Sequence, residues 1–308
     1  MLSVFAITLP IFLLIALGYL ATRFGVTNRA DIRGVGIFVV RFALPMLVFR
    51  SLSQRDIGEI VNTRYLLAYG AASLLAFALV FGVTRFGQRR SVPESAFAAM
   101  GSSLSNSSFI GFPVAALALG PVAVVALALS MIIESMIILP LTLMLAESDG
   151  HPDKSLASLL WHIAKRLART PLIQAICCGL LFSLAHIHVP APLFKAIDML
   201  ATASTAAALF AVGGALAGIT LHGMIGDVAK IVSAKLFLHP LLVFITLLLV
   251  PGLDPTLKKA MLIIASAPSP SILPLIAQPY GQEDMSAAAL TASTALSFLT
   301  MSGMLMLL

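Results

Sequence analysis

Apolar residues run through this chain in blocks of about 20, separated by short polar or basic connections, from one end to the other. A helix rising 1.5 Å per residue needs about that length to cross a hydrocarbon core of roughly 30 Å. Ten such spans fit the pattern, at 3–22, 34–49, 65–86, 93–119, 121–146, 171–188, 193–219, 226–250, 257–278 and 284–308. Transmembrane strands would instead give segments of about 10 residues with alternating polarity, and the sequence has none of these. The pattern predicts an all-α polytopic membrane protein.

One connection is longer than the rest. Residues 147–170, ESDGHPDKSLASLLWHIAKRLART, are polar and then amphipathic, and they divide the chain into two sets of five spans. The organisation expected is a first five-helix repeat at 1–150, a cytoplasmic linker at 151–170 and a second five-helix repeat at 171–308. Five is odd, so the second set enters the membrane from the opposite side, and two similar halves form an inverted repeat. Pro113 is followed seven residues later by Gly120, and Pro274 seven residues later by Gly281, each pair closing the fourth span of its half.

Within the apolar pattern two stretches break the rule. GSSLSNSSFIGFP, 101–113, places Ser105, Asn106, Ser107 and Ser108 ahead of Gly111 and Pro113 in the middle of the fourth span. ASAPSPSILP, 265–274, places Ser266, Ser269 and Ser271 among Pro268, Pro270 and Pro274 in the ninth. An unpaired backbone amide in hydrocarbon costs several kcal/mol, so helices broken by Gly and Pro are tolerated where the freed groups face protein, water or a ligand. A broken helix exposes N–H groups at one end and carbonyls at the other. Two breaks sharing one space suit a small anion flanked by hydroxyl and amide donors. Gly111, Pro113, Pro268, Pro270 and Pro274 are the expected helix-break residues; Asn106, Ser105, Ser107, Pro113, Ser269 and Ser271 are the expected substrate-site residues. The plainer alternative is that Ser and Asn join helices and Pro kinks them.

Four ionisable residues fall inside spans: Arg41, Glu134, Lys235 and His239. Charges at that depth are rare and usually face the interior. Arg41, four residues before Pro45, is a candidate cation for an organic anion, or else it snorkels or pairs with Glu134. Glu134, in LSMIIESMII, is a candidate carrier of a coupling proton or cation, or a structural partner of Arg41 or Lys235. Lys235 and His239, four apart, share one helix face. The seventh span, rich in Ala, Gly, Ser and Thr, reads as a close-packing surface.

Composition sharpens this picture and excludes others. Of 308 residues, 59% are hydrophobic and 10% charged, which rules out a soluble domain. The formal charge of +6 does not signal nucleic acid, because the basic residues gather in short loops: eleven follow odd-numbered spans and six follow even-numbered ones. By the positive-inside tendency the odd loops are cytoplasmic and both termini extracytoplasmic in the cell (inner) membrane. The first span lacks a basic leader and a small-residue cleavage site and is read as a retained span. Cys177 and Cys178, adjacent in an apolar run, are expected to be small buried thiols. No H-E-x-x-H pair, no G-x-S-G with a partner His and no P-loop is present, so an enzyme is not expected, nor a cofactor or metal.

The residues LPIFLLIALGYLATRFG, FVVRFALPMLVF, NSSFIGFPV and the Pro-rich ninth span together resemble the auxin efflux carrier family, within the bile acid and arsenite transporter group. The most specific element is Asn106 followed by Gly111, Phe112 and Pro113, similar to the family's crossover motif N-x4-G-[IF]-P. The resemblance implies ten spans in inverted repeats, broken and crossing fourth and ninth helices, a scaffold and a transport domain, and often a homodimer. It also implies substrate-site roles for Asn106 and Pro113. The short segment between the halves looks like bacterial members, including malonate and malate permeases. The function expected is secondary active transport of a small organic anion, a carboxylate resembling malonate, malate or auxin. The alternative is sodium-coupled symport of a larger amphipathic anion such as a bile acid.

Overall fold

The computed structural model describes residues 2–54, 62–148, 165, 168–187, 189–217 and 225–308, with side chains from Leu9 onward. Most of the linker at 151–170 therefore lies outside the described residues, as do Arg55, Lys154 and Arg166 of the loop-charge pattern. Every regular element among the described residues is helical. In chain order these are α1 (Leu2–Arg23), α2 (Arg29–Leu52), α3 (Thr63–Gly87), α4 (Val92–Leu119), α5 (Val122–Ser148), α6 (Pro171–Leu184), α7 (Ala191–Leu216), α8 (Ile225–Leu249), α9 in two pieces (Pro255–Ala265 and Leu273–Ala277) and α10 (Glu283–Leu307).

Seven of them, α2, α3, α4, α5, α7, α8 and α10, are long and apolar enough to cross a membrane. The shortfall against ten expected spans falls on three segments. The part of α1 from Leu9 is short, α6 has 14 residues and α9 is divided. Helix starts follow local chemistry. Asn28 with Asp31, and Ser91 with Glu94, form reciprocal capping boxes, while Asn62 and Asp254 cap α3 and α9. Each cap is worth about 1 kcal/mol.

The small residues of the seventh span do what their size allows. A Cβ at Gly213 would lie 1.8 Å from the Ile15 carbonyl oxygen, and one at Gly18 would lie 2.0 Å from that of Phe210. The backbones of α1 and α7 therefore approach more closely than any side chain permits. Around them Ile11, Ile15, Leu47, Leu52, Leu209 and Val212 build one apolar core. A second core joins α3, the first half of α4, α5, α8 and α9 through Tyr65, Tyr69, Phe97, Met100, Leu129 and Ile264. Outward faces carry exposed Leu13, Leu17, Leu67, Phe244, Leu248 and Leu249, the surface a lipid-facing helix presents. Cys177 and Cys178 lie on such a face of α6 and are exposed rather than buried; adjacent positions there both fall on the outer side of the helix.

Proline shapes the interior of four helices in the same way. The helix widens to a π-turn at Val39–Ala43, Ser107–Gly111, Glu134–Ile138 and Ala234–Leu238, and in each case a proline follows two residues later, at Pro45, Pro113, Pro140 and Pro240. Proline has no N–H and its ring collides with the carbonyl four residues back. Here the residue before each proline bonds five residues back instead: Leu44 to Val39, Phe112 to Ser107, Leu139 to Glu134 and His239 to Ala234. Arg41, Glu134 and Lys235 all stand within these wide turns, a feature often found at functional sites.

Candidate functional site

The fourth span stops being helical after Ser103 and resumes at Ser107. The ninth stops at Ala265 and resumes at Leu273. These two interruptions touch. The Asn106 N–H donates to the Pro268 carbonyl at 2.8 Å, and Asn106 Nδ2 donates to Ser271 Oγ at 2.7 Å. Ser269 Oγ donates to the Gly101 carbonyl at 2.7 Å, closing a second tie between the same two segments. Gly111 permits the approach, since a Cβ there would come within 3.3 Å of Ile264 Cα and Ala267 Cβ. Both glycines of the Pro-x6-Gly pairs, Gly120 and Gly281, take φ of 70° where their segments end, a backbone region open to glycine at little cost.

A cavity of about 250 Å³ opens beside the contact. Ser105, Asn106, Ser107, Ser108, Glu134, Ser135 and Ser271 give it its polar wall; Met100, Leu104, Phe109, Met131, Leu139 and Ile276 give it an apolar one. Asn106 is only 3% exposed. Ser107, Ser108 and Phe109 form the first turn of the resumed helix, so their N–H groups have no intrahelical acceptor. That end carries partial positive charge.

Behind the cavity lies a buried polar network. Glu134 Oε1 accepts from Ser107 Oγ at 2.6 Å and from the Tyr69 hydroxyl at 2.8 Å. Tyr69 also lies 3.4 Å from Ser105 Oγ, which accepts from Lys235 Nζ at 2.8 Å. His239 joins Lys235 through Nδ1 and Ser73 through Nε2, at 2.8 and 3.0 Å. The Tyr65 hydroxyl pairs with Ser130 Oγ at 2.8 Å. Glu134 and Lys235 are linked through Ser105 and Tyr69, and neither forms an ion pair among the described residues.

The predicted residues thus separate by position. Asn106, Ser105, Ser107, Ser271, Pro270 and Glu134 line one cavity. Ser269 is fully buried in a backbone tie, Pro113 is buried in the first turn of the second half of α4, and Pro274 opens the second piece of α9. Pro268 supplies the carbonyl held by Asn106. Arg41 is exposed on α2, while its neighbours Val40 and Leu44 reach the cavity wall. Tyr65, Tyr69 and Ser73 were not among the residues singled out from sequence. Their signal was present as polar groups four apart along one face of an apolar span.

Broken helix ends meeting beside a small, largely apolar cavity with one polar wall, inside a multi-pass helical protein, are the arrangement on which membrane transporters build their substrate sites. Residues 3–305 match the family model described as "Membrane transport protein", and the chain belongs to that family, the auxin efflux carriers. It is 31% identical over 310 residues to the "Putative malonate transporter" of Rhizobium meliloti (strain 1021), covering 100% of this chain and 97% of that protein. It is 24% identical over 255 residues to the "Uncharacterized transporter YfdV" of Escherichia coli (strain K12), covering 79% of this chain and 76% of that one.

Proposed function

We propose that this protein is a secondary active transporter of a small carboxylate, malonate-like in size and charge, held between the two helix interruptions. The observation that carries the reading is Asn106. It sits on the cavity wall with one amide N–H on Ser271 and its backbone N–H on Pro268, so both broken segments converge on the same few ångströms. Asn106, Ser105, Ser107 and Ser271 supply donors to the anion, and the free N–H groups at the start of the resumed helix add to them. The malonate relative supports the substrate class.

Glu134 sets the coupling. Its carboxyl group lines the same cavity that is to receive an anion. Two carboxylates about 5 Å apart repel by roughly 3 kcal/mol at an effective dielectric of 20. A substrate anion therefore enters together with a proton on Glu134, and the pair moves as one load. The cavity is also small, at about 250 Å³, against roughly 300–1,000 Å³ for pockets that enclose drug-sized ligands. That size accommodates a short carboxylate.

In this reading the chain forms ten spans in two inverted five-helix repeats, 1–150 and 171–308, joined by the linker 151–170. It resides in the cell inner membrane with both termini outside. α1, α2, α6 and α7 act as the scaffold, and the helices carrying the interruptions move against it. The contact between the fourth and ninth spans supports the repeat. The test is uptake of radiolabelled malonate and malate into proteoliposomes under an imposed pH gradient. Concentrative uptake that collapses with the gradient is expected; no uptake and no ligand-dependent thermal shift across a panel of small organic acids would refute the reading.

A further inference from the structure

Lys235 is fully buried, and among the described residues it forms no ion pair with a carboxylate. Its Nζ instead reaches three neighbours, each at 2.8 Å: the Ala265 carbonyl oxygen, Ser105 Oγ and His239 Nδ1. An ammonium has three N–H groups and no acceptor, so three acceptors saturate it. A charged Lys235 makes Nδ1 the acceptor and leaves the His239 ring proton on Nε2, facing Ser73 Oγ.

The identity of those acceptors matters. Ala265 is the last residue of the first piece of α9, and its carbonyl belongs to the set that a helix end leaves without intrahelical donors. Such a carbonyl carries the negative end of the helix dipole. Ser105 lies in the interruption of α4. Unwound backbone carbonyls and half-helix C-terminal ends are the groups with which transporters built on interrupted helices hold a coupling cation, and here a hydroxyl from the other break stands beside such a carbonyl. Here a side chain from a third helix, α8, delivers a positive charge to that spot.

We infer that the Lys235 ammonium is a tethered cation standing where a coupling sodium ion would otherwise bind, so that carboxylate binding by this protein requires no sodium. The inference rests on the carboxylate-site reading above and extends it. With Lys235 fixed in place, the cavity and its surroundings hold one positive and one negative charge. A proton on Glu134 leaves a single positive charge, which offsets one of the two negative charges that malonate brings. The wide turn before Pro240 carries Lys235, and its long apolar stem passes through the core so that the charge appears at the junction of the two breaks.

The experiment uses the full-length protein in detergent, with malonate as ligand and sodium or choline chloride as the salt. Wild type should bind malonate with affinities that agree within about twofold in the two salts. Affinity that rises tenfold or so with sodium would overturn the inference. Lys235→Ala opens the cation position; in choline its malonate affinity should fall about tenfold or more, and sodium or methylammonium should recover most of the loss. A folded Lys235→Ala that binds as wild type does in choline, or that no small cation restores, would equally overturn it. If that variant does not fold, the wild-type salt comparison still decides. Failure of the carboxylate reading looks different, because wild type then binds no malonate in either salt.

Discussion

Replacing Asn106 with alanine separates the two jobs this residue holds. Its backbone N–H bond to Pro268 and its carbonyl bonds to the Ile110 and Gly111 N–H groups do not depend on the side chain. The side chain contributes one bond within the protein, from Nδ2 to Ser271 Oγ at 2.7 Å. A neutral hydrogen bond of that kind is worth about 0.5–1.5 kcal/mol net, and Ser271, which is exposed, can turn its hydroxyl elsewhere. Folding should therefore weaken by about 1 kcal/mol. A bond from the amide to a carboxylate is charge-assisted and worth about 1.5–3 kcal/mol, so the affinity for malonate should drop roughly 10- to 150-fold. Titration calorimetry reads the second quantity and thermal unfolding in the same detergent reads the first. An Asn106→Ala protein that unfolds near the wild-type temperature and still binds malonate within about threefold of wild type would refute the assignment of Asn106 to the ligand.

Other substitutions probe the neighbouring parts. Glu134→Gln keeps an oxygen for Tyr69 and Ser107 but cannot carry the proton, so proteoliposomes should still exchange labelled for unlabelled malonate while losing accumulation driven by a pH gradient; undiminished accumulation would place the coupling proton elsewhere. Ser269→Ala removes the bond to the Gly101 carbonyl and should cost about 1 kcal/mol of stability with malonate affinity little changed; a large affinity loss would mean that Ser269 reaches the ligand. Gly213→Ala forces a methyl group against the Ile15 carbonyl oxygen and should lower the unfolding temperature by the equivalent of about 3 kcal/mol or more. Gly34→Ala in α2 meets open space, and it should be neutral or stabilising by up to about 1 kcal/mol.

Much of this site was readable from residue order alone, and the reason is the solvent. In hydrocarbon a polar run such as SLSNSS cannot sit mid-span without an internal partner, so hydropathy marked both interruptions before any coordinates. The same logic marked Glu134, Lys235 and His239. Their connection was not readable, because Ser105 and Tyr69, which bridge them, come from different helices and no local period encodes which faces meet. Tyr65, Tyr69 and Ser73 escaped notice because each alone is an ordinary residue at a helix interface; only their spacing of four makes a stripe. Arg41 shows what depth alone leaves out. Its type and depth suggested the anion site, but a helix position fixes direction as well as depth, and Arg41 points to the exposed side of α2 while Val40 and Leu44 face the cavity. The wide turns were legible in part: each proline announced a disturbance, and the chain relaxes it by adding one residue to the turn before it.

The most direct test of the central claim is to locate the ligand. Crystals of the protein grown with bromomalonate and measured at the bromine absorption edge would give an anomalous peak wherever the carboxylate binds. The account predicts that peak in the cavity beside residues 105–108, within reach of the Asn106 amide and Ser271 hydroxyl. A peak elsewhere, with both interruptions left without ligand, would contradict it.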